Sequence, residues 1–457
     1  MFDRIKNIHF VGIGGSGMSG IAEVLINLGY NVSGSDLVRS EATEHLEKLG
    51  AKIVYKHKKE NVSGADVVVT STAISKENPE VIEAHRCKIP VIPRIEMLAE
   101  LARIKYAVTI AGTHGKTTTT SLTAMVLQYG GLDPTVIIGG RVKNFAHSGA
   151  KLGRGNFLVA EADESDGSFL KLSPTIAVAT NIDNDHLDYY GSIEKLKQAF
   201  VEYLNRVPFY GCAIVCIDDK GIRSILKKIK RKYYTYGFNP DADFYAKIVE
   251  TDFSGSRFKV FYRKKEIGDF VLNIPGIHNV QNALSGICCG IELGVPVKKI
   301  YSALKEFRGV KRRLEIKGKI KTNKNSEIIF IDDYGHHPNE ILATIKTIKD
   351  NFPKRKLVVV FQPHRYTRTK LLYKEFGPVF NKADVVRLCD IYPAGEKPIK
   401  GVSSELILKE IRKYHDNAEM FEFNKFPKLL KPNDVVLTLG AGDIWKTAER
   451  IIQYLKK

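Results

Sequence analysis

The sequence predicts an α/β protein of several domains, and three observations carry that reading. Short apolar runs rich in Val, Ile and Ala alternate with helix-like stretches along almost the whole chain, the pattern of parallel sheets covered by helices. Glycine-rich turns stand directly after apolar runs at residues 12–17, 112–115 and 440–442, where a strand hands over to a helix. At 457 residues the chain exceeds what one core accommodates, so two to four domains are expected.

The first block opens with a strand at 8–11, followed by the turn Gly12-Ile13-Gly14-Gly15-Ser16-Gly17, a helix to about Leu28 and a second strand at 31–35. Asp36 comes directly after that strand. Such glycines let backbone approach a diphosphate, and the acidic residue suits a ribose, so any nucleotide diphosphate fits the pattern, NAD among them. Strands at 51–54, 66–70 and 89–92 complete a small sheet, and the block ends near Arg103, Ile104 and Lys105.

The second block opens on the most specific motif of the chain. Gly112-Thr113-His114-Gly115-Lys116-Thr117-Thr118-Thr119-Thr120 follows the apolar run 107–111 and leads into a helix at 121–129. Backbone N–H groups at that helix start can cradle phosphate, where Lys116 would reach the outer phosphates and the Thr117 hydroxyl would hold magnesium; the plainer alternative is a Gly-rich turn that merely caps a helix. The usual spacing puts a first glycine at position 110, which is Ile110 here, so the match is to the Gly-Lys-Thr core. Two polar clusters follow at strand ends: Glu161-Ala162-Asp163-Glu164-Ser165-Asp166 after 157–160, and residues 181–188 after 176–179. A carboxylate beside such a loop balances a magnesium phosphate complex, and His186 among carboxylates gains basicity or shares a metal. Each cluster alone reads more readily as a solvated loop; on successive strand ends of one sheet they point to one ligand site. Residues 241–274 alternate polar and apolar, which adds antiparallel strands. A helix beyond Pro275 and Gly276 then carries Asn282, whose amide can read an adenine edge, whereas Asn279 serves equally as a helix cap.

A third block follows the basic stretch Arg308-Gly309-Val310-Lys311-Arg312-Arg313, with strands at 328–332, 356–361, 384–388 and 434–439. Its polar clusters, Asp333-Tyr334-Gly335-His336-His337-Pro338 and Gln362-Pro363-His364-Arg365-Tyr366-Thr367-Arg368, also stand at strand ends. The paired arginines suit bidentate capture of a carboxylate or phosphate.

Seventy Lys plus Arg against 51 Asp plus Glu leave a net charge of +19, but the lysines are scattered and no aromatic-basic stripe accompanies them, which argues against nucleic acid. The six cysteines show no C-x-x-C spacing, which argues against structural zinc and for a reducing compartment. The N-terminus carries no signal-peptide core, and no run of about 18 apolar residues occurs, so the chain reads as cytoplasmic.

In their order, the motifs at 12–18, 112–120, 161–165, 181–188, 278–282, 332–338 and 364–368 resemble the Mur ligase family of peptidoglycan synthesis, over the whole chain. The resemblance implies three α/β domains: a Rossmann-like UDP-sugar-binding domain (1–104), a central P-loop ATPase domain with a parallel sheet plus antiparallel strands (105–313), and a Rossmann-like C-terminal domain (314–457). It implies ATP and Mg2+ as cofactors, and closure of the domains about hinges near 104 and 313. It also implies UDP-N-acetylmuramate and L-alanine as substrates, because the residues from Gly12 to Met18 follow the alanine-adding type. A monomer or homodimer is implied, with no membrane or nucleic-acid partner.

Residue by residue, the resemblance makes Lys116, Glu161 and His186 catalytic, with Thr117, Glu161 and His186 on metal. ATP falls to Gly112, Thr113, His114, Gly115, Lys116, Thr117 and Thr118 with Asn282, Arg313 and Asp333. The UDP-sugar falls to Gly12, Gly14, Gly15, Ser16, Gly17, Met18, Ser35 and Asp36, and the alanine to Tyr334, His336, His364, Arg365 and Arg368. Members adding later residues carry a carbamylated lysine after the His186 motif; its place falls near Ala199 or Phe200, so this chain lacks it. Two other classes compete. An oxidoreductase would use the first glycine turn and leave the P-loop idle, and an ATPase powering assembly would need no small acceptor.

Overall fold

The computed structural model describes residues 5–71, 73–140, 142–145, 150–323 and 326–456; Met1, Phe2, Asp3 and Arg4, part of the N-terminus read above, lie outside them. Packing divides the chain into two units. One runs to Glu250 and takes in Ser256–Ile274 and Asn279–Val310; the other comprises Thr251–Gly255, Pro275–His278 and Lys311 onward.

The first unit holds two sheets. Strands β1 (Asn7–Val11), β2 (Asn31–Ser35), β3 (Lys52–Val54), β4 (Val67–Thr70) and β5 (Val91–Pro93) pair in parallel in the order 3-2-1-4-5. The chain leaves β1 with neighbours on both sides, and the crevice at that reversal of strand order is where such sheets take ligands. The glycine turn occupies it. Helices Glu41–Lys48 and Pro79–Arg86 start where Ser40 and Asn78 accept backbone N–H bonds, the latter with proline at the first position.

The second sheet contains β6 (Tyr106–Ala111), β7 (Thr135–Ile137), β8 (Ala150–Lys151), β9 (Phe157–Glu161), β10 (Ile176–Ala179), β11 (Cys212–Cys216), β12 (Tyr233–Gly237), β13 (Phe244–Asp252), β14 (Gly255–Tyr262) and β15 (Lys265–Leu272). Their order is 15-14-13-12-11-10-6-9-7-8. Pairing is parallel from β7 across to β13, so the alternating region expected to be antiparallel becomes so only beyond β13, where β14 and β15 form a hairpin. The two faces bury different alternate residues: Val108, Ile110 and Val178 meet the helices Lys116–Tyr129 and Ile277–Glu292, while Ala107, Ala177 and Ala213 meet Ile193–Asn205. That second apolar layer continues without a break into the first sheet through Ile95, Leu98 and Leu101 of the helix Arg94–Arg103.

The second unit is built on β16 (Glu315–Asn323), β17 (Ser326–Asp333), β18 (Leu357–Phe361), β19 (Val385–Leu388), β20 (Ala418–Met420) and β21 (Val435–Leu439), in the order 16-17-21-18-19-20. All pairs are parallel except the β16–β17 hairpin. Helices such as Pro338–Asn351 and Ile444–Leu455 cover its two faces over separate apolar clusters. The molecule is therefore an α/β protein with three sheets, mixed in its second and third. Among the described residues no helix is long and apolar enough to cross a membrane.

Candidate active site

The P-loop sits at the carboxyl end of β6, and its helix begins at Lys116, ahead of the expected start at 121. Gly115 takes left-handed backbone (φ 82°) that turns the chain into the helix, and Thr118, Thr119 and Thr120 bury their side chains, which outweighs threonine's modest helix propensity. Gly112 has φ 139°, and a Cβ there would stand 2.0 Å from Thr180 Oγ1. Glycine is required on both counts.

Residues after β10 hold the loop in shape. The Thr180 hydroxyl donates to the His114 carbonyl (2.7 Å), and the Asn181 amide both accepts from the His114 N–H (2.8 Å) and donates to its carbonyl (3.0 Å). The Asp183 N–H donates to Thr113 Oγ1 (2.9 Å), and its carboxylate lies 3.1 Å from His114 Nε2. Asn181 and Asp183 thus brace the phosphate loop, a use that depends on the two strands lying side by side.

Lys116 Nζ donates to Gly112 O (2.6 Å) and Glu164 Oε1 (2.8 Å). Burial would lower its pKa, but the carboxylates of Glu164, Asp163 and Glu161 outweigh it and hold the ammonium above its ordinary value. Glu164 is fully buried, and its Oε2 has no hydrogen-bond partner. A buried acceptor left open beside a phosphate loop fits a cation or a ligand donor. His186 Nε2 lies 3.9 Å from Glu164 Oε1 and 3.6 Å from Asp185. Glu161 accepts from the Gly139 N–H (3.0 Å), while Thr117 packs against Gly140, so both flank one loop. Asn282 presses its carboxamide on Gly115, where a Cβ would meet Oδ1 at 2.7 Å. Glu164 is a functional residue that the sequence does not single out, since nothing but its place in the acidic cluster marks it before its contact with Lys116 is known. Ala199 and Phe200, near which the resemblance would put a carbamylated lysine, pack in the core.

At the first sheet, the N–H groups of Gly12 and Ile13 donate to the Ser35 carbonyl, and Gly14 N–H donates to Asp36 Oδ2 (2.8 Å). Asp36 Oδ1 accepts from the backbone of Leu37 and Val38, so this carboxylate braces the turn. The Ser35 hydroxyl faces inward, donating to buried Glu80 (2.6 Å) beside His57. Gly15, Gly17 and Met18 lie in the first turn of the helix Ser16–Asn27 or just ahead of it.

In the second unit, Asp333 ends β17 buried, accepting from the N–H groups of Leu314 and Gly335 (2.8 Å each). Burial pushes its pKa up to about 6, against the pull of Arg313 and those two donors. Arg312 is committed to Asp332 (3.0 Å) and to the carbonyls of Gly440 and Gly442. Arg313 has a long ion pair with Glu340 (3.8 Å) and lies over the Tyr334 ring, which leaves it the more available arginine. Tyr334, His336 and His364 form a chain of ring contacts at 5.5 and 5.7 Å. Arg368 Nη1 is 3.4 Å from His364 Nδ1, and burial with the nearby Arg368 and Arg365 pushes His364 down to about 4, so it is neutral at physiological pH. Arg365 is exposed, with its N–H donating to Tyr392.

A glycine turn at a crevice of one sheet, a P-loop facing carboxylates on the next and an Asp-Tyr-His cluster on a third define a nucleotide-dependent enzyme of three α/β domains. The chain belongs to the Mur ligase family: residues 7–106 match the family's catalytic domain, 110–290 its middle domain and 312–442 its glutamate ligase domain. It is 56% identical over 453 residues to the UDP-N-acetylmuramate–L-alanine ligase of Endomicrobium trichonymphae, covering 99% of each chain. To the enzyme of the same name from Geobacter sulfurreducens it is 52% identical, covering 100% of this chain and 99% of that one. The crystal structure of UDP-N-acetylmuramate-alanine ligase MurC from Thermotoga maritima superposes with a TM-score of 0.83 at 30% identity, covering 99% of each.

Proposed function

We propose that this chain joins L-alanine to the lactyl carboxylate of UDP-N-acetylmuramate, driven by ATP, in the cytoplasmic stage of peptidoglycan synthesis. The observation that carries the reading is Lys116, held protonated at the P-loop among Glu161, Asp163 and Glu164, in a chain matched end to end by alanine-adding relatives.

A carboxylate is a poor electrophile, so its oxygen must become a leaving group before an amine can attack. Transfer of the ATP γ-phosphoryl group to the lactyl carboxylate gives an acyl phosphate; the alanine amine then attacks the acyl carbon, a C–N bond forms and phosphate departs. Lys116 leaves its resting contacts to neutralise the migrating phosphoryl oxygens. Thr117, Glu161 and His186 are the residues that would hold magnesium, and the open Glu164 oxygen beside them fits a cationic site; the ion supplies charge neutralisation on the phosphates. Asn282, Arg313 and Asp333 take adenine, phosphate and ribose. Tyr334, His336, His364, Arg365 and Arg368 surround the alanine, an arginine on its carboxylate. Gly12, Gly14, Gly15, Ser16, Gly17, Met18, Ser35 and Asp36 form the UDP-sugar end, with Ser35 and Asp36 contributing through the shape they give the turn. The domain limits we adopt are 1–104, 105–313 and 314–457.

Phosphate release from ATP, measured with each acceptor omitted in turn and with the product weighed, tests the reaction. Release requires both UDP-N-acetylmuramate and L-alanine, and release indifferent to both would refute the ligase reading in favour of a simple ATPase. A second expectation concerns pH. Asp333 takes up a proton as pH falls through about 6, losing acceptor capacity for a ribose hydroxyl. The KM for ATP therefore rises below pH 6, and Asp333→Asn flattens that dependence; an identical slope in the variant would remove Asp333 from the ATP site.

A further inference from the structure

Arg94 opens the helix Arg94–Arg103 directly after β5, at the carboxyl edge of the first sheet. Its guanidinium lies against the glycine turn: a Cβ built on Gly17 would stand 2.1 Å from Arg94 Nη1 and 2.9 Å from Cζ. Gly17 is thus the residue that lets this arginine reach the start of the helix Ser16–Asn27. On its other side, Arg94 Nη2 lies 3.6 Å from Asp163 Oδ2, and that is its one ion pair among the described residues. No hydrogen bond from its five N–H donors to a described residue accompanies it, and the side chain is 28% exposed. A guanidinium seated this closely on backbone, yet left with open donors at a ligand-binding edge, is arranged to receive an anion.

Two further observations narrow the anion. The helix Ser16–Asn27 has no acidic residue in its first turn and no side-chain cap, so its own N–H groups point at the same space. Asp163 belongs to the cluster that surrounds Lys116, so the arginine stands between the glycine turn and the P-loop acids.

We propose that Arg94 is the diphosphate clamp of the UDP-sugar site, its planar fork taking oxygens of one phosphate while the backbone of the glycine turn takes those of the other. Asp163 acts as a positioning residue that holds the fork on the side of the turn facing Lys116. The proposal rests on the ligase reading above for the identity of its ligand and for nothing else.

The test uses the full chain with Arg94→Ala, Arg94→Gln and Arg94→Lys, titrated calorimetrically with UDP, with UDP-N-acetylmuramate and with a non-hydrolysable ATP analogue. Charged bidentate contacts are worth enough that Ala and Gln should each weaken UDP by about tenfold or more, with Lys recovering part of the loss. The ATP analogue should bind within about twofold of the unaltered protein. UDP affinity unchanged in both Ala and Gln variants overturns the clamp. Loss for UDP-N-acetylmuramate with UDP unaffected also overturns it, and moves Arg94 onto the lactyl carboxylate. Loss of UDP and ATP analogue together, with a lowered melting temperature, assigns Arg94 to structure alone and overturns it too. Unaltered protein that binds UDP tightly but forms no product with L-alanine would instead sink the ligase reading and leave the clamp standing.

Discussion

Replacing Lys116 with alanine lowers kcat by roughly a thousandfold or more while UDP-N-acetylmuramate still binds, because the ammonium acts on charge that develops only during phosphoryl transfer. The P-loop and the glycine turn stand on different sheets, so loss of one cation at the first leaves the second in place. The substitution has a structural cost as well. Glu164 is fully buried and would lose the cation 2.8 Å from it, a change of the order of 3–5 kcal/mol locally. The double variant Lys116→Met with Glu164→Gln separates the two effects, since it removes both charges: stability should return and activity should not. Single-turnover acyl phosphate formation is the readout, and a double variant that recovers turnover would take Lys116 out of the chemistry.

A second large effect on stability is expected at Glu80, which lies with no exposed surface beneath the first sheet's ligand edge. Its carboxylate accepts from Ser35 (2.6 Å) and from Asn61, with His57 at 3.3 Å and His9 at 3.8 Å. Burial raises its pKa, but the nearby His9 and the hydrogen bonds of Ser35 and Asn61 prevail and bring it down to about 2. Against 4.5 for an ordinary glutamate, that difference corresponds to about 3 kcal/mol of stability. The contribution is complete above about pH 4.5 and fades as pH falls from there toward 2. Glu80→Gln should therefore speed hydrogen exchange of the β1 and β2 amides at pH 7 by about a hundredfold, with the difference from the unaltered protein shrinking in acid. Equal exchange at pH 7 would show the cluster to be energetically idle.

Much of the architecture is legible in the sequence, because parallel strands buried on both faces are short apolar runs and their ligand ends are polar. The P-loop was legible for that reason, as were the strands that carry Glu161 and Asp333. The hairpin strand β16 was not, since Glu315-Ile316-Lys317-Gly318-Lys319 presents lysines where an edge strand meets solvent and looks like a loop. Within the site, residue types announced what could bind phosphate but not who holds whom. Glu164 pairs with a lysine 48 positions away, and Asn181 grips a backbone 67 positions away. Such pairings depend on which strands lie side by side, and β6 sits between β9 and β10 without any local signal saying so. Similarly, the sequence singles out Arg313 by its place before Leu314, but not the task of its neighbour: both guanidinia lie over Tyr334, and only that of Arg312, at a left-handed residue (φ 61°), is spent on Asp332 and the Gly440 turn.

The apolar layer shared by the first two sheets bears on how this enzyme can be recombined. Ile95, Leu98 and Leu101 on one side and Leu158, Phe169 and Leu172 on the other belong to one continuous cluster, so the first hundred residues are not an interchangeable cassette. A chimera that imported that segment from a distant relative would inherit a foreign face against Phe169 and Leu172. It would fold well only if the contacting side chains around Leu158, Phe169 and Leu172 travelled with it.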